Sequence, residues 1–192
     1  IAVSVPGPPL YPCSGSPLAQ PCKSVHMAGT ATPATALLRK DRTPHRIHTY
    51  QHDRGVDSYG DEAIRALQQV VDIDGHQVFK TLVITLDSHS LAVAVLPVPT
   101  RLSLKAAASA LGGSKAAMAD QSAAERSTGY VFGGIAPLGQ RRSLPTVIDE
   151  SALQWDRVFC SGGRRGLEIE LAPADLIRLC DAVTAPIALT TA

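Results

Sequence analysis

The sequence predicts a single α/β domain built on a mixed β-sheet. Segments with the two-residue alternation of strands and segments with the helical period follow each other in irregular order, which argues against a doubly wound parallel sheet. Two of the predicted strands are separated by only four polar residues, 87–90, the length of a hairpin turn. A chain of 192 residues, 45% of them hydrophobic, can form one core without disulfides or a structural metal.

The N-terminal stretch 1–26 differs from the rest of the chain. It holds six of the fourteen prolines, a single charged residue, Lys23, and no amphipathic period. We expect it to be a disordered extension. It also lacks the basic start and apolar run of a secretory signal. We therefore predict that the biological chain begins at Met27 and that residues 27–192 form one domain, folded over about 27–190.

The first half of this domain is predicted to hold two helices and three strands. Thr32 is typical of an N-cap and Pro33 of a first helical position, so a helix begins there and runs through Leu38. A second helix begins at Ser58, which has capping-box spacing to Asp61. The apolar stripe of this second helix consists of Ile64, Leu67, Val70 and Val71. Strands are predicted over residues 45–52, 78–86 and 91–96.

The second half begins with a helix that stops at Gly112-Gly113. Its apolar residues recur at helical spacing and are Leu104, Ala107, Ala108 and Leu111. A short helix near 120–127 precedes a loop region from Gly129 to Pro145. Strands are predicted over residues 146–149, 156–160 and 167–171. The last helix begins at Pro173, and its stripe consists of Leu176, Leu179, Cys180 and Val183.

Charge and cysteine content exclude several classes of protein. With 18 Lys and Arg against 17 Asp and Glu, the net charge is +1, which excludes a polybasic nucleic-acid-coating protein but not a local basic patch. No run of about 18 apolar residues is present, so we expect no membrane span. The cysteines form no CxxC pair, which favours a reducing cytoplasm over a disulfide scaffold. They are Cys13, Cys22, Cys160 and Cys180.

Lys80 is the unusual residue of its strand. Period-two alternation places it on the same face as Val78, Leu82 and Ile84, which are apolar. An ammonium group there either extends to the edge of the sheet or lies in a pocket that faces an anionic ligand, because an unpaired buried charge is costly. The pattern alone leaves both interpretations open.

Two glycine-rich loops each carry a pair of arginines. Residues 133–139 (GGIAPLG) precede Arg141-Arg142, and residues 161–166 (SGGRRG) join two strands. Glycine allows backbone N–H groups to converge on an oxyanion or phosphate, and arginine adds positive charge. Flexible turns with solvated charges are the alternative. Neither loop matches a phosphate-binding Walker motif or a dinucleotide fingerprint.

Other candidate residues are ambiguous. Glu168 and Glu170 share one face of their strand and suit either acid/base catalysis or, more simply, a solvated outer face. Tyr50, on the face of His48 and His52, is expected to face solvent or a cleft. A metal site is disfavoured because His45 points the other way. The apolar stripe around Cys180 predicts a buried, unreactive thiol. The pattern disfavours Cys160 as a nucleophile, because no fixed spacing relates it to a histidine base.

Five segments together resemble the YbaK family of free-standing Cys-tRNA(Pro) deacylases, similar to the editing domain inserted in bacterial prolyl-tRNA synthetases. They follow the order of the family from about residue 30 to residue 188. The segments are 32–38 (TPATALL), 48–53 (HTYQHD), 79–82 (FKTL), 127–139 (STGYVFGGIAPLG) and 161–169 (SGGRRGLEI). The chain departs from the family at Glu168, where Asp is frequent, at Ala136, where Ser is frequent, and at Tyr59, where Phe is known.

The resemblance implies a curled, partly barrel-like mixed sheet flanked by helices. It implies that Lys80, Gly133, Gly134 and Ile135 are catalytic, with the three loop residues offering N–H groups to an oxyanion and Lys80 facing the tRNA 3′ end. It also implies a set of substrate-binding residues. These are Tyr50, Tyr59, Thr81, Ser161, Gly162, Arg164 and Glu168.

The implied reaction is hydrolysis of cysteine mischarged onto proline tRNA, with the substrate thiol as nucleophile and no metal or cofactor. The implied partners are aminoacylated proline tRNA and prolyl-tRNA synthetase, in the cytoplasm. Two alternatives stay open: an Ala-tRNA(Pro) deacylase, and a non-catalytic module that binds a tRNA acceptor end or the synthetase.

Overall fold

The computed structural model describes residues 29–53, 55, 58–87 and 90–189. The predicted disordered extension 1–26 lies outside the described residues, as do Ser88 and His89 of the predicted turn. The described residues form five α-helices: α1 (Pro33–Asp41), α2 (Tyr59–Gln68), α3 (Leu104–Ala110), α4 (Gln121–Thr128) and α5 (Pro173–Cys180). The longer strands are β1 (His45–Thr49), β2 (Val78–Leu86), β3 (Ser90–Pro97), β6 (Thr146–Asp149), β7 (Val158–Arg164) and β8 (Leu167–Leu171). The short strands are β4 (Arg101–Leu102), β5 (Ala116–Met118), β9 (Val183–Ala185) and β10 (Ala188–Leu189).

Eight of the strands form one mixed sheet, which confirms the predicted fold class. Seven of them follow the order β1-β8-β7-β2-β3-β6-β9, and β5 pairs with β2 outside this order. The pairs β2/β7, β3/β6 and β6/β9 are parallel and the others antiparallel. The two end strands, β1 and β9, do not pair with each other, so the sheet is not closed. None of the helices in the described part of the chain is long and apolar enough to cross a membrane.

The predicted helix starts are confirmed by their caps. Thr32 accepts a hydrogen bond from the N–H of Thr35, and Ser58 accepts one from the N–H of Asp61. The predicted stripe of α2 is wrong at Val70, whose side chain is 72% exposed, because the helix ends at Gln68.

The last helix is also shorter than predicted. It ends at Cys180, and its C-cap residue Asp181 adopts a left-handed conformation with φ 48°. Val183 therefore lies on β9 and is exposed, so the prediction that it continues the stripe of α5 is wrong. By contrast, β7 runs further than predicted and contains a register shift between Ser161 and Arg164.

Helix α2 packs on the face of the sheet that bears the candidate residues. Ala63 and Leu67 of α2 contact Val78 of β2 and Phe159 of β7 in one buried cluster. A larger cluster on the opposite face joins β2, β3, β7 and β8 with α1, α5 and the loop around Ile135. The strand β2 is thus covered on both of its faces.

The expectation of a solvated face for Glu168 and Glu170 is wrong, since both residues are buried. The carboxylate of Glu170 lies 2.8 Å from Nε2 of His48, 3.3 Å from Nε of Arg157 and 3.6 Å from Nη1 of Arg46. Cationic side chains from β1 and from the residue before β7 replace water there, because a buried carboxylate must be paired or hydrogen-bonded.

Asp149 connects the end of β6 to the C-terminal segment. One carboxylate oxygen accepts hydrogen bonds from the N–H and hydroxyl of Ser151, and the other accepts from the N–H groups of Ile187 (2.8 Å) and Ala188 (2.7 Å). Asp149 is 3% exposed. Its carboxylate therefore satisfies backbone donors that water reaches poorly.

We predict that Asp149→Ala lowers the free energy of unfolding by about 3 kcal/mol, because it leaves these buried donors without an acceptor. Urea denaturation followed by circular dichroism measures the change. Asp156→Ala, at an exposed position, is the matched control and should change the free energy by less than about 0.5 kcal/mol. Equal midpoints for the two variants would contradict the assignment.

Candidate active site

A cavity of about 410 Å³ opens beside the middle of β2. Its walls are the start of α2, the start of α4, the residues that follow β5, and the loop Phe132–Ile135. Ser161 of β7 and Glu168 of β8 also line it. This volume is within the range of small-molecule sites, about 300–1,000 Å³.

The cavity exists because one edge of β2 is only partly paired. On one edge, β3 pairs with β2 from Phe79 to Leu86. On the other edge, β7 pairs with β2 only at residues 78–79 and β5 only at residues 84–86. Between these contacts, residues 80–83 have no neighbouring strand on that edge within the described chain. The pocket therefore opens at an interruption of the sheet.

Three polar side chains on neighbouring strands line the pocket from one face. Ser161 and Glu168 are directly paired across β7 and β8. Phe79 pairs with Cys160, and continuing this register by one residue brings Lys80 beside Ser161. The structure thus places Lys80 in the wall of a pocket, as the ligand-facing interpretation requires, and the role of Lys80 toward an anionic ligand stays a prediction.

The ammonium of Lys80 is held by backbone carbonyls. Its Nζ donates to the carbonyl oxygens of Val98 at 2.9 Å and Thr100 at 2.5 Å. An ammonium has three N–H donors, so one remains for a ligand. Burial lowers the pKa of Lys80 from its usual value, and the nearby carboxylate of Asp61 opposes this change. Lys80 is therefore a positioned cation with one free donor.

The two glycine loops pack directly against each other. A Cβ on Gly134 would lie 2.8 Å from Cα of Arg164, and a Cβ on Gly133 would lie 2.7 Å from the ring of Tyr59. Gly133 also has φ +79°, a conformation that favours glycine. The prediction that both loops contribute to one site is consistent with this contact.

Two aromatic residues of the pocket lining, Tyr59 and Phe132, contact the guanidinium of Arg165, which does not itself line the pocket. The guanidinium of Arg165 donates to the carbonyl of Phe132 (2.8 and 3.1 Å) and lies 4.6 Å from the centre of the Tyr59 ring. Phe132 meets Tyr59 edge to face and is 50% exposed. These planar groups are accessible to a ligand that enters the pocket.

The N–H groups of the Gly-Gly-Ile loop are not equivalent. Gly134 donates its N–H to the carbonyl of Val131 at 3.0 Å and does not line the pocket. Gly133 and Ile135 line the pocket, and their N–H groups have no hydrogen-bond acceptor among the described residues. The expectation of three available donors is therefore reduced to two.

Glu168 is buried in the wall of the pocket without a cationic partner among the described residues. Burial raises the pKa of its carboxyl to about 8, so the group is mainly uncharged at neutral pH. Glu170, two residues along the same strand face, has the cations that Glu168 lacks. The pocket thus contains a carboxylic acid that can donate as well as accept a hydrogen bond.

Three predicted substrate-binding residues lie outside the pocket lining. Tyr50 packs against the α2 cluster, where burial and the carboxylates of Glu168 and Glu62 raise its pKa. Gly162 is buried and accepts a hydrogen bond from the hydroxyl of Thr32. Arg164 is exposed, and its guanidinium lies against Gly29.

The histidines and cysteines have contacts away from the pocket. His48 and His52 bind the carboxylates of Glu170 and Glu62, at 2.8 and 2.7 Å. Burial raises the pKa of Cys160 well above its usual value and that of Cys180 to about 12, so neither is a ready thiolate. In the described ranges, no three His, Cys, Asp or Glu side chains are grouped as metal ligands.

Sequence reasoning did not single out Phe132, Met118 and Gln121, which also line the pocket. For Phe132, the available signal was a large aromatic residue next to two glycines in a loop. Met118 and Gln121 carry no comparable signal, because they reach the pocket only through the short strand β5 and the start of α4.

Comparison with known proteins agrees with this geometry. The aminoacyl-tRNA editing domain family matches residues 61–179. A protein from Enterococcus faecalis, named as the Cys-tRNA(Pro)/Cys-tRNA(Cys) deacylase EbsC, is 32% identical over 148 residues, which is 77% of this chain and 87% of that protein.

Two solved structures share the fold. One is described as a trans-editing enzyme for prolyl tRNA synthetase, with a TM-score of 0.69 and 21% identity over 84% of this chain and 98% of that one. The other is the hypothetical protein APE2540, with a TM-score of 0.71 and 21% identity over 82% of this chain and 100% of that one. The match of the family over more than half of the chain, together with the Enterococcus relative, establishes that this protein belongs to the aminoacyl-tRNA editing domain family and is an aminoacyl-tRNA deacylase.

Proposed function

We propose that this protein hydrolyses cysteine mischarged onto proline tRNA, acting in trans in the cytoplasm. The observation that carries the proposal is a pocket with a held cation, two N–H donors and an uncharged carboxyl, whose lining contains no cysteine. We infer that the substrate itself supplies the nucleophile, because a cysteine side chain carries a thiol that can attack its own ester. The name of the Enterococcus relative supports the same amino acid.

The reaction would proceed through attack of the substrate thiol on its own ester carbonyl. The C–S bond forms, the ester C–O bond breaks, and the thiol proton ends on the departing ribose oxygen. Water then hydrolyses the resulting cysteine thiolactone. A thiol with a pKa near 8.5 is ionised by only about a few per cent at pH 7, but holding it near the carbonyl is worth an effective molarity of about 10⁵ M or more.

Three groups would stabilise this reaction. The N–H groups of Gly133 and Ile135 would donate to the oxygen of the attacked carbonyl as negative charge develops on it. The free N–H of Lys80 would bind the ribose or the terminal phosphate of the tRNA. The uncharged carboxyl of Glu168 would lie beside the thiol without repelling the thiolate.

The mechanism also explains selectivity. A pocket distinguishes side chains that differ by one small group by only about 1–3 kcal/mol. Alanine and proline lack a thiol, so their esters would be rejected because the reaction cannot begin. Pocket size then matters less than the chemistry of the side chain.

We predict that the protein hydrolyses Cys-tRNA(Pro) much faster than Ala-tRNA(Pro), and that Lys80→Ala lowers the rate on Cys-tRNA(Pro) about 100-fold by removing a charged contact. Release of labelled amino acid from each tRNA measures both effects. Lys105→Ala, at an exposed site on α3, is the control and should keep full activity. Equal hydrolysis of both substrates, or unchanged activity of Lys80→Ala, would contradict the thiol-dependent scheme, and faster hydrolysis of Ala-tRNA(Pro) would favour an alanine deacylase. Binding without turnover would favour a non-catalytic module.

A second prediction concerns Glu168 and pH. The folded protein binds this proton more tightly than the unfolded chain, since the pKa is raised from 4.5 to about 8. The stabilisation that comes from this tighter proton binding is complete below pH 4.5 and is lost as the pH rises through 8. Glu168→Gln, which stays uncharged, should match the wild type at pH 4 and exceed its free energy of unfolding at pH 9 by on the order of 4 kcal/mol.

Urea denaturation at a series of pH values measures this difference. The exposed residue Glu150 provides the control, because Glu150→Gln makes the same chemical change at a position that is not buried. If the free energies of unfolding of Glu168→Gln and the wild type differed by a constant amount across this pH range, folding would not raise the pKa of the buried carboxyl.

We further propose that prolyl-tRNA synthetase supplies the tRNA identity. Affinity for tRNA depends largely on phosphate contacts, and this chain has a net charge of only +1. The protein alone should therefore deacylate Cys-tRNA(Pro) and Cys-tRNA(Cys) at similar rates, and adding the synthetase should favour the proline tRNA. Deacylation assays of both substrates with and without the synthetase test this. Strong discrimination by the protein alone would contradict it.

A further inference from the structure

Thr81 places a polar group without a partner in the pocket. Its side chain lines the cavity, and its hydroxyl oxygen is buried with no hydrogen-bond partner among the described residues. Buried hydroxyls are nearly always hydrogen-bonded, since leaving one unpaired is unfavourable. The proposed mechanism gives this hydroxyl no role. A ligand with a complementary group would satisfy it.

The backbone of Thr81 faces the same opening. Val98 donates its N–H to the carbonyl of Val78, so the backbone groups of Val78 and of every second residue after it point toward β3. The backbone groups of Thr81 therefore point to the opposite edge of β2, away from β3. On that edge, Val83, two residues further on, accepts a hydrogen bond from the N–H of Ala119.

Thr81 lies in the interval of this edge that no strand of the described chain covers. The last pair with β7 is at Phe79, and the pairs with β5 begin at Ile84. The register thus leaves the carbonyl of Thr81 on this uncovered interval of the edge, and the side chain that carries the hydroxyl lines the cavity. These are two oxygen acceptors on one residue.

Thr81 is on the same wall as the proposed oxyanion donors. Phe79 and Val83, which share its face of β2, pack in one cluster with Ala124 and Ile135. Lys80 and Glu168 line the pocket from the opposite face of the sheet. A group bound by Thr81 would therefore lie next to the reacting carbonyl rather than next to the tRNA phosphate.

We propose that Thr81 binds the α-ammonium group of the aminoacyl ester through its hydroxyl and carbonyl oxygens. This inference rests on the proposed deacylase function and adds a specificity contact to it. In an aminoacyl ester, the α-ammonium is a strong donor that requires acceptors, and it is attached to the carbon that bears the reacting carbonyl. The two oxygen acceptors of Thr81 match the chemistry of the α-ammonium group. They also lie on the same wall of the pocket as the proposed oxyanion donors, which matches the attachment of this group next to the reacting carbonyl.

The test compares two substrates and two variants. Thr81→Val removes the hydroxyl while keeping the shape of the side chain, and Thr81→Ser keeps the hydroxyl. Proline tRNA is charged either with cysteine or with 3-mercaptopropionate, which keeps the thiol and the ester but lacks the α-amine. Spontaneous hydrolysis of each ester is measured and subtracted. Thr85→Val is the matched control, because Thr85 shares the face of Thr81 but its backbone pairs with β5.

We expect Thr81→Val to lower kcat/KM on the cysteine ester about 10-fold or more, the size of a hydrogen bond to a charged group. The same variant should leave kcat/KM on the mercaptopropionate ester nearly unchanged. Thr81→Ser should restore most of the activity on the cysteine ester, and Thr85→Val should affect neither substrate.

Equal losses on both esters, or no loss on the cysteine ester, would overturn the inference and leave the deacylase function standing. If the wild type hydrolysed neither ester, the proposed function would fail, and the role of Thr81 would fail with it. These outcomes differ in whether the wild type turns over, so the two failures can be told apart.

Discussion

The candidate active-site pocket depends on the interrupted pairing along one edge of β2. That edge is occupied by β7 at one end and by β5 at the other, and the two strands do not meet. A continuous neighbour would satisfy the backbone of Thr81 and fill the space that the cavity occupies. The interruption opens this cavity, which Thr81 lines from one face of β2 and Lys80 from the other. The glycine loops then form the outer wall of this opening.

The electrostatics of the site follow from where the cations lie. Glu170 and Glu168 are both buried on the same face of β8, but only Glu170 is contacted by Arg46, His48 and Arg157. The carboxyl of Glu168 consequently has a pKa of about 8. Lys80, on a neighbouring strand, is held by two neutral carbonyls rather than by a carboxylate, so its charge is not cancelled before a ligand arrives.

Sequence patterns predicted most of the fold, because caps, turns and alternation are local. Thr32 and Ser58 mark the two helix starts correctly. The patterns failed for Glu168 and Glu170, since alternation shows that two residues share a face but not what covers that face. They could not predict the interrupted edge of β2 either, because β5 is three residues long and its pairing joins distant parts of the chain. The resemblance supplied Thr81, whose role the alternation pattern did not indicate.

A catalyst that uses the nucleophile of its substrate needs accurate placement more than reactive side chains. Under the proposed mechanism, close backbone packing rather than a set of ionised groups would determine how the site works. Gly134 illustrates the point, since it offers no donor to the pocket but lies so close to Arg164 that a Cβ would contact its backbone at 2.8 Å. This close packing holds Gly134 between Gly133 and Ile135, the two residues of the loop that line the cavity. The rate enhancement would then depend on the geometry of two loops that contact each other, and residues that never touch the substrate would matter as much as those that do.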